Sequence, residues 1–462
     1  MPLKAAPIND TLSPSFQTDS LFAETSWRAR QRGRQLILAI FALNAISAGL
    51  FIHFVNRPVY DDPYNILDVH TYATRGLSVS TIRANKTPPG PTTFAWIAIA
   101  VRLLGGEQLR DARIGALVSW VLLVAGVLVA APYTKFPELW YAGLLVSLIF
   151  PHSVEATALV LTEGPALLFA TLGALAWLEF VSRPCVGPTG LLFGIFGGLS
   201  MGLAVTSRQY FLALLPAAML VALQQARRSD LKHGARWYAS VVFSLAAAAL
   251  PVVFLIVIWK GITSPGMAEG TSYPPWIART GFAFTRPLIA AFYTAFYFLP
   301  LTTPASCQVK PMQRWRITPV ALCAGLVAGY FSSFILQPGP LRTVVHFIAQ
   351  GRVAQSLIVG LIAAGAIYNA IAAALFLWDR RDAVFSCSPV AFALLTVISF
   401  VVEQVGVGGS IPFYDRYVLQ IAPFLGLTAF ALFPRLTFPR VGILAALLFV
   451  SHVMLWRYAF GT

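Results

Sequence analysis

Two adjacent carboxylates, Asp61 and Asp62, follow directly on an apolar run, and a third, Glu163, opens another. Lys86, Arg208 and Arg416 stand at comparable places, each beside an apolar stretch. A carboxylate can take a proton from a hydroxyl, while Arg and Lys bind and stabilise a departing phosphate. That combination suits glycosyl transfer from a lipid-linked phosphosugar. One base suffices for it, because phosphate already leaves well without a general acid. Either Asp61 or Asp62 can be the base, with Asp62 narrowly preferred. Glu163 positions the acceptor or assists the base, and Lys86, Arg208 and Arg416 are the candidate ligands of the lipid phosphate.

Each residue also has a plainer reading. Asp before Pro63 opens turns. Glu163 after Thr162 suits the start of a helix, where a carboxylate is electrostatically favoured. Lys86 can snorkel at a helix entrance, and Arg416 can pair locally with Asp415. Asp68 pairs with Arg75 or caps a helix. Arg208 falls between two apolar runs on the side where basic residues are scarce, which calls for an anion or a paired carboxylate.

The elements that position these residues follow from composition. Of 462 residues, 57% are hydrophobic and 11% charged, with a mean hydropathy of +0.72. Soluble domains carry about 25% charged residues, so a water-soluble enzyme is excluded, and so is a disordered chain, which needs low hydrophobicity. The net charge of +15 comes from short clusters between apolar runs rather than from a basic domain. It therefore points to loops beside anionic lipid and not to nucleic acid. Residues 1–34 form a polar cytoplasmic tail, expected to be disordered and without the pattern of a cleaved signal peptide.

Apolar runs of spanning length, about 17–25 residues, start near Gln35, Arg113, Glu163, Pro188, Trp237, Ile317, Val353, Phe385, Tyr417 and Val441. Shorter ones lie at Thr92–Leu104, Leu139–Phe150, Tyr210–Leu223 and Pro287–Leu301. Arg28, Arg30, Arg32 and Arg34 hold the N-terminus inside, which puts the hydrophilic loop Asn56–Thr93 outside, and Arg102, Arg110 and Arg113 mark an inside turn. Of the 20 Lys and Arg after Lys135, 12 fall inside if Leu139–Phe150 dips in and returns, but only 8 if it crosses. The positive-inside rule favours the dip. The expected fold is all-α, with about 13 transmembrane helices, a long first extracytoplasmic loop and the C-terminus outside.

Asp61-Asp62-Pro63-Tyr64, then Lys86-Thr87-Pro88-Pro89-Gly90-Pro91 and Leu109-Arg110-Asp111-Ala112-Arg113, resembles the start of GT-C-type glycosyltransferases. Within that class the chain is similar to the protein O-mannosyltransferases and the lipid A aminoarabinose transferases. Thr87–Gly90, Ser207-Arg208-Gln209 and the Phe413–Tyr417 turn are similar to the dolichyl-phosphoglucose-dependent alpha-1,2-glucosyltransferases. Leu161-Thr162-Glu163-Gly164-Pro165 matches the second acidic motif, with Glu where many members have Asp. The resemblance covers about the first 210 residues and the late Arg-Tyr turn. It implies a GT-C fold, a polyprenyl-phosphate-sugar donor as co-substrate, and an inverting displacement with a first-loop acid as base. It also implies catalysis at the periplasmic or luminal face, here of the plasma (inner) membrane, on a lipid, glycan or protein acceptor. By this reading residues 35–225 form the catalytic module, including outer loop 56–93, and residues 226–462 form a variable C-terminal module.

The remaining signals are weaker. The six His show no paired metal-ligand spacing, so a dedicated zinc site is not expected; no cofactor is called for, and participation of a divalent ion is left open. Cys185, Cys307, Cys323 and Cys387 fall in or near the cytoplasmic half, where disulfides are rare. Tyr273-Pro274-Pro275-Trp276 sits in an outer loop, and Pro338–Arg352 has the pattern of an amphipathic helix lying on the membrane. The alternative class is a transporter or lipid-linked sugar flippase, which would show internal repeats and mid-membrane charges. The sequence shows no such repeat, and its charges gather at the ends of spans.

Overall fold

The computed structural model describes residues 27–462, apart from 88–89, 106–107, 184–186, 228–233, 262–263, 266–284, 337–338, 407–412, 414, 433–437 and 461–462. The Tyr273–Trp276 motif, Cys185, the prolines 88 and 89, and residues 1–26 of the tail lie outside the described residues. The first helix starts at Trp27, so the last eight residues of the expected tail are helical.

Among the described residues the chain is all helical. In order, the helices are α1 (Trp27–Phe54), α2 (Asp62–Arg75), α3 (Val79–Arg83), α4 (Pro91–Leu104), α5 (Gln108–Ala130), α6 (Pro137–Ile149), α7 (Ser153–Ala158), α8 (Glu163–Val181) and α9 (Pro188–Ser207). Then follow α10 (Leu214–Ala226), α11 (Ala235–Trp259), α12 (Thr285–Gln308), α13 (Pro311–Tyr330), α14 (Pro340–Ile348), α15 (Arg352–Asp379), α16 (Ser388–Glu403), α17 (Ala422–Leu432) and α18 (Phe438–Phe460), with short helical turns at Ser332–Ile335 and Arg381–Ser386 between them. Short 3₁₀ segments, Gln209–Ala213 and Asp415–Ile421, lead into α10 and α17. Nine described helices are long and apolar enough to cross a membrane. The chain is an integral, multi-pass membrane protein.

Where lipid tails are as apolar as leucine, helices associate through close packing and small residues rather than hydrophobic gain. Gly198 lies so near α11 that a Cβ there would stand 2.0 Å from the Ser244 carbonyl oxygen. Gly143 of α6 meets the Pro423 carbonyl of α17 in the same way, at 2.6 Å. Trp120, Trp140, Trp177 and Trp237 fill the spaces between helices. Trp177 donates to Ser244 Oγ at 3.2 Å and Trp120 to the Ala156 carbonyl at 3.1 Å, which satisfies indole groups that have no water to turn to.

Two short elements differ from the sequence reading. Helix α4, expected to cross, does not. Its entry is held to the end of α9, where Gly90 N–H donates to the Ser207 carbonyl and Thr92 bonds Thr206. Its last turn is tied to α2, where Arg102 donates to the carbonyls of Ala73 and Tyr72. Fourteen residues rise only about 21 Å, and α5 begins four positions after α4 ends. Arg113 in that first part of α5 bonds Asp62, so Arg102, Arg110 and Arg113 lie at the same end of the bundle as the acidic loop, not at the opposite turn. Helix α6, expected to dip and return, instead runs from one end to the other. Lys135 before it stands within electrostatic reach of Cys387 at the start of α16, and Gln225 at the end of α10 bonds the adjacent Ser388. At the far end of α6, His152 meets Asp415. Eleven of its 13 residues are buried, so it is a central helix that need not match the bilayer thickness. The two changes cancel in parity. Arg227, Arg236, Lys310, Arg314, Arg316, Arg380, Arg381 and Arg440 all flank helix ends opposite the acidic cluster.

Candidate active site

The chain after α1 must turn sharply to start α2. Tyr60 makes that turn with φ of 55°, a left-handed conformation that a bulky residue adopts only under constraint. Pro63 sits in the first turn of α2, where its missing N–H costs nothing. This turn sends Asp61 and Asp62 to different surroundings.

Asp62 is fully buried. Arg113 Nη2 reaches its Oδ2 at 2.6 Å and Nε at 3.2 Å, while the backbone N–H of Val160 donates to Oδ1 at 2.7 Å and that of Val59 to Oδ2 at 3.2 Å. Burial pushes this carboxyl above its ordinary range, against the pull of Arg113 and of the two backbone donors. Arg113 also donates to the carbonyls of Val55 and Arg57. Asp62 and Arg113 thus fasten the ends of α1 and α5 and the bend at Val160.

Asp61 faces the other way. Its side chain is 33% exposed, and Arg416 Nη2 stands 2.5 Å from its Oδ2. Arg416, at the start of the 3₁₀ turn before α17, is buried and also faces Glu163 Oε1 at 3.8 Å. Its guanidinium lies over the Tyr60 ring, 4.8 Å from the centroid. Glu163, the first residue of α8, receives Arg208 Nη2 at 3.1 Å, and Arg208 lies over Tyr417 at 5.0 Å. Asp61, Arg416, Glu163 and Arg208 therefore form one chain of charges in which Asp61 is the exposed member. The chain draws on residues from both sides of position 225.

Lys86 is not part of that chain as described. Its side chain is exposed, and its backbone N–H donates to Asp68 Oδ1 at 3.0 Å. Asp68 accepts from the Thr87 N–H and hydroxyl as well, at 3.0 and 2.6 Å. The buried Asp68 therefore locks the Lys86–Thr87 backbone, where the sequence reading paired it with Arg75 or used it as a cap.

A second buried group lies behind Arg416, and the sequence reading missed its central member. His152, in the turn between α6 and α7, sets Nδ1 2.6 Å from Glu155 Oε2 and Nε2 3.0 Å from Asp415 Oδ1. Tyr297 donates to Asp415 Oδ2 at 2.6 Å, and Arg457 approaches Glu155 Oε1 at 3.7 Å. Burial opposes a charged imidazole, but the flanking Asp415 and Glu155 carboxylates hold its pKa up, at about 9. Scanning for paired His cannot find such a residue, because its partners are carboxylates, one of them 263 positions away.

Three cavities lie among the helices, one of them beside these charges. One of about 440 Å³ is lined by Tyr60, His152, Arg342, His346, Met454 and Arg457, and lies under α14. The other two, of about 390 and 500 Å³, are apolar and share Phe169 and Leu203. The first lies between α4, α9 and α11 and reaches Thr92 and Thr206, and the second lies between α5, α8 and α9 and reaches Val129. Among the described residues no group of three or more His, Cys, Asp and Glu is placed to hold a metal ion.

No family model matches the sequence, and no curated protein matches it. Among solved structures the chain is similar to ArnT from Cupriavidus metallidurans, in the apo state and bound to undecaprenyl phosphate. Each comparison gives 16% identity over 90% of this chain and 77% of the other, with TM-scores of 0.37 and 0.39.

Proposed function

We propose that this chain is a GT-C-type membrane glycosyltransferase. It moves a sugar from a polyprenyl-phosphate donor to a hydroxyl of a lipid, glycan or protein acceptor, with Asp61 as base. The observation that carries the reading is the contrast at the first loop. Asp62 has its lone pairs taken by Arg113 and two backbone donors, whereas Asp61 is partly exposed and bound to one cation. The narrow sequence preference for Asp62 therefore passes to Asp61.

The reaction is a displacement at the anomeric carbon. The donor phosphate takes the place of the Asp61 carboxylate at Arg416, since both are anions competing for one guanidinium. Asp61, released, accepts the proton of the acceptor hydroxyl. The hydroxyl oxygen bonds to the anomeric carbon from the side opposite the phosphate, the carbon–oxygen bond to phosphate breaks, and configuration inverts. Arg416 and Arg208 take up the charge left on polyprenyl phosphate. Glu163 holds the two guanidiniums side by side, which would otherwise repel. Exposed Lys86 gives an incoming phosphate its first electrostatic contact.

The apolar cavities bordered by α4, α5, α8, α9 and α11 suit the polyprenyl chain, and the polar cavity beside Tyr60 suits the acceptor. The basic clusters at the opposite helix ends support, through the positive-inside rule, a reaction at the extracytoplasmic face. A transporter would need its charges at mid-depth, and these sit at helix ends. The test is Asp61→Asn and Asp62→Asn made singly, with transfer assayed in membranes per folded molecule. Asp61→Asn is expected to abolish transfer. Full activity in Asp61→Asn would remove the base and with it the mechanism.

A further inference from the structure

The buried group behind Arg416 carries an inference that rests on the donor reading above and deepens it. Both ring nitrogens of His152 face carboxylate oxygens, at 2.6 and 3.0 Å. A neutral imidazole has one N–H and one lone pair, so it can donate to only one of them. The other carboxylate would then face a lone pair inside a buried cluster, an arrangement that disfavours the pair. With both carboxylates ionised, only the doubly protonated ring satisfies both.

What this ring holds is the segment that presents Arg416. Asp415 precedes Arg416 in the 3₁₀ turn Asp415–Ile421, and both are buried. Asp415 is gripped by His152 on one oxygen and Tyr297 on the other. The Gly339 backbone at the entry of α14 is seated against the same carboxylate, so that a Cβ there would lie 2.2 Å from Oδ2. The titratable and charged groups around the ring are Glu155 on α7, Asp415 on the 3₁₀ turn, Tyr297 on α12 and Arg457 with Tyr458 on α18. Tyr60, and Arg342 and His346 of α14, face it across the cavity. The carboxylates touch the ring directly, and the cations lie beyond them.

We propose that His152 is a positioning residue whose imidazolium, clamped between Glu155 and Asp415, holds Arg416 in place to bind the donor phosphate, so that loss of the ring proton weakens that binding. The pKa of about 9 places the change within reach of experiment. Deprotonation leaves Asp415 facing a lone pair, the turn loosens, and Arg416 no longer stands fixed between Asp61 and Glu163.

The full chain in neutral-lipid nanodiscs is titrated with undecaprenyl phosphate from pH 7.5 to 10.5, a range over which the phosphate monoester is already a dianion. Wild type should bind with constant affinity to about pH 8 and weaken at least tenfold through an inflection near 9. His152→Gln should bind more weakly throughout and show no inflection, while Asp415→Asn should move the inflection to lower pH. A flat wild-type profile, or an inflection that survives in His152→Gln, overturns the proposal. A purely structural role for His152 would lower folded yield without removing the inflection. The spectrum of ¹⁵N-labelled histidines gives a readout independent of the donor. A ring that is doubly protonated at pH 7.5 and titrates near 9 upholds the clamp even if undecaprenyl phosphate fails to bind, which would count against the donor reading. A neutral His152 at pH 7.5 overturns the clamp.

Discussion

Asp61 and Asp62 are neighbours of one residue type, yet their surroundings differ at every point. One is a third exposed and bound to a guanidinium that also faces Glu163; the other is wholly buried, with four donor contacts from Arg113 and the backbone. Chemistry needs a carboxylate that can exchange partners, whereas fastening two helix ends needs one that cannot. Residue type and motif are shared by both roles, and accessibility separates them.

The largest effect expected from this contrast is on turnover. Asp61→Asn removes the proposed base and should lower kcat by about 10²–10⁴-fold, the range of general-base contributions, with thermal stability close to wild type. A stable, fully active variant would erase the contrast. Arg113→Gln should act on the other side of it. Removing one partner of a buried pair costs about 3–5 kcal/mol, so a large fall in the unfolding midpoint is expected while the surviving folded molecules still transfer. Unchanged stability would mean that Asp62 is not structural.

Smaller effects sharpen the picture. The folded pKa of His152, about 9, lies above the ordinary value of 6.5. A raised pKa in the folded state contributes stability fully below about 6.5 and loses it as pH rises through 9. The unfolding midpoint should therefore fall between pH 7 and 10, and should fall less in His152→Gln. The smallest effect is expected at Lys86, whose side chain is exposed while its backbone is held by Asp68. Lys86→Gln should weaken donor capture only a few-fold, and chiefly at low salt. A loss as large as that of Asp61→Asn would put Lys86 inside the reaction.

The helical class and most spans were legible because hydrophobic runs of spanning length have few alternatives in a chain this poor in charge. Glu163 at a helix start and Arg208 in need of a carboxylate were also readable, since a lone charge at a span end demands a partner. Two things were not. The path of α4 and α6 depends on which short apolar helix is buried among others, and hydropathy measures apolarity without saying what the apolar surface touches. Arg113 was put at the wrong end for the same reason, because counting basic residues per loop ignores a carboxylate on the far side of another helix. His152 and the division between Asp61 and Asp62 depend on contacts across 263 and 355 positions, beyond any spacing rule.

The most direct test of the central claim is donor binding when the exposed carboxylate is removed. If the phosphate displaces Asp61 from Arg416, then Asp61→Asn takes away a competing anion. It should bind undecaprenyl phosphate at least as tightly as wild type while failing to transfer. A variant that loses binding together with transfer would show that Asp61 serves the donor site and is not the base.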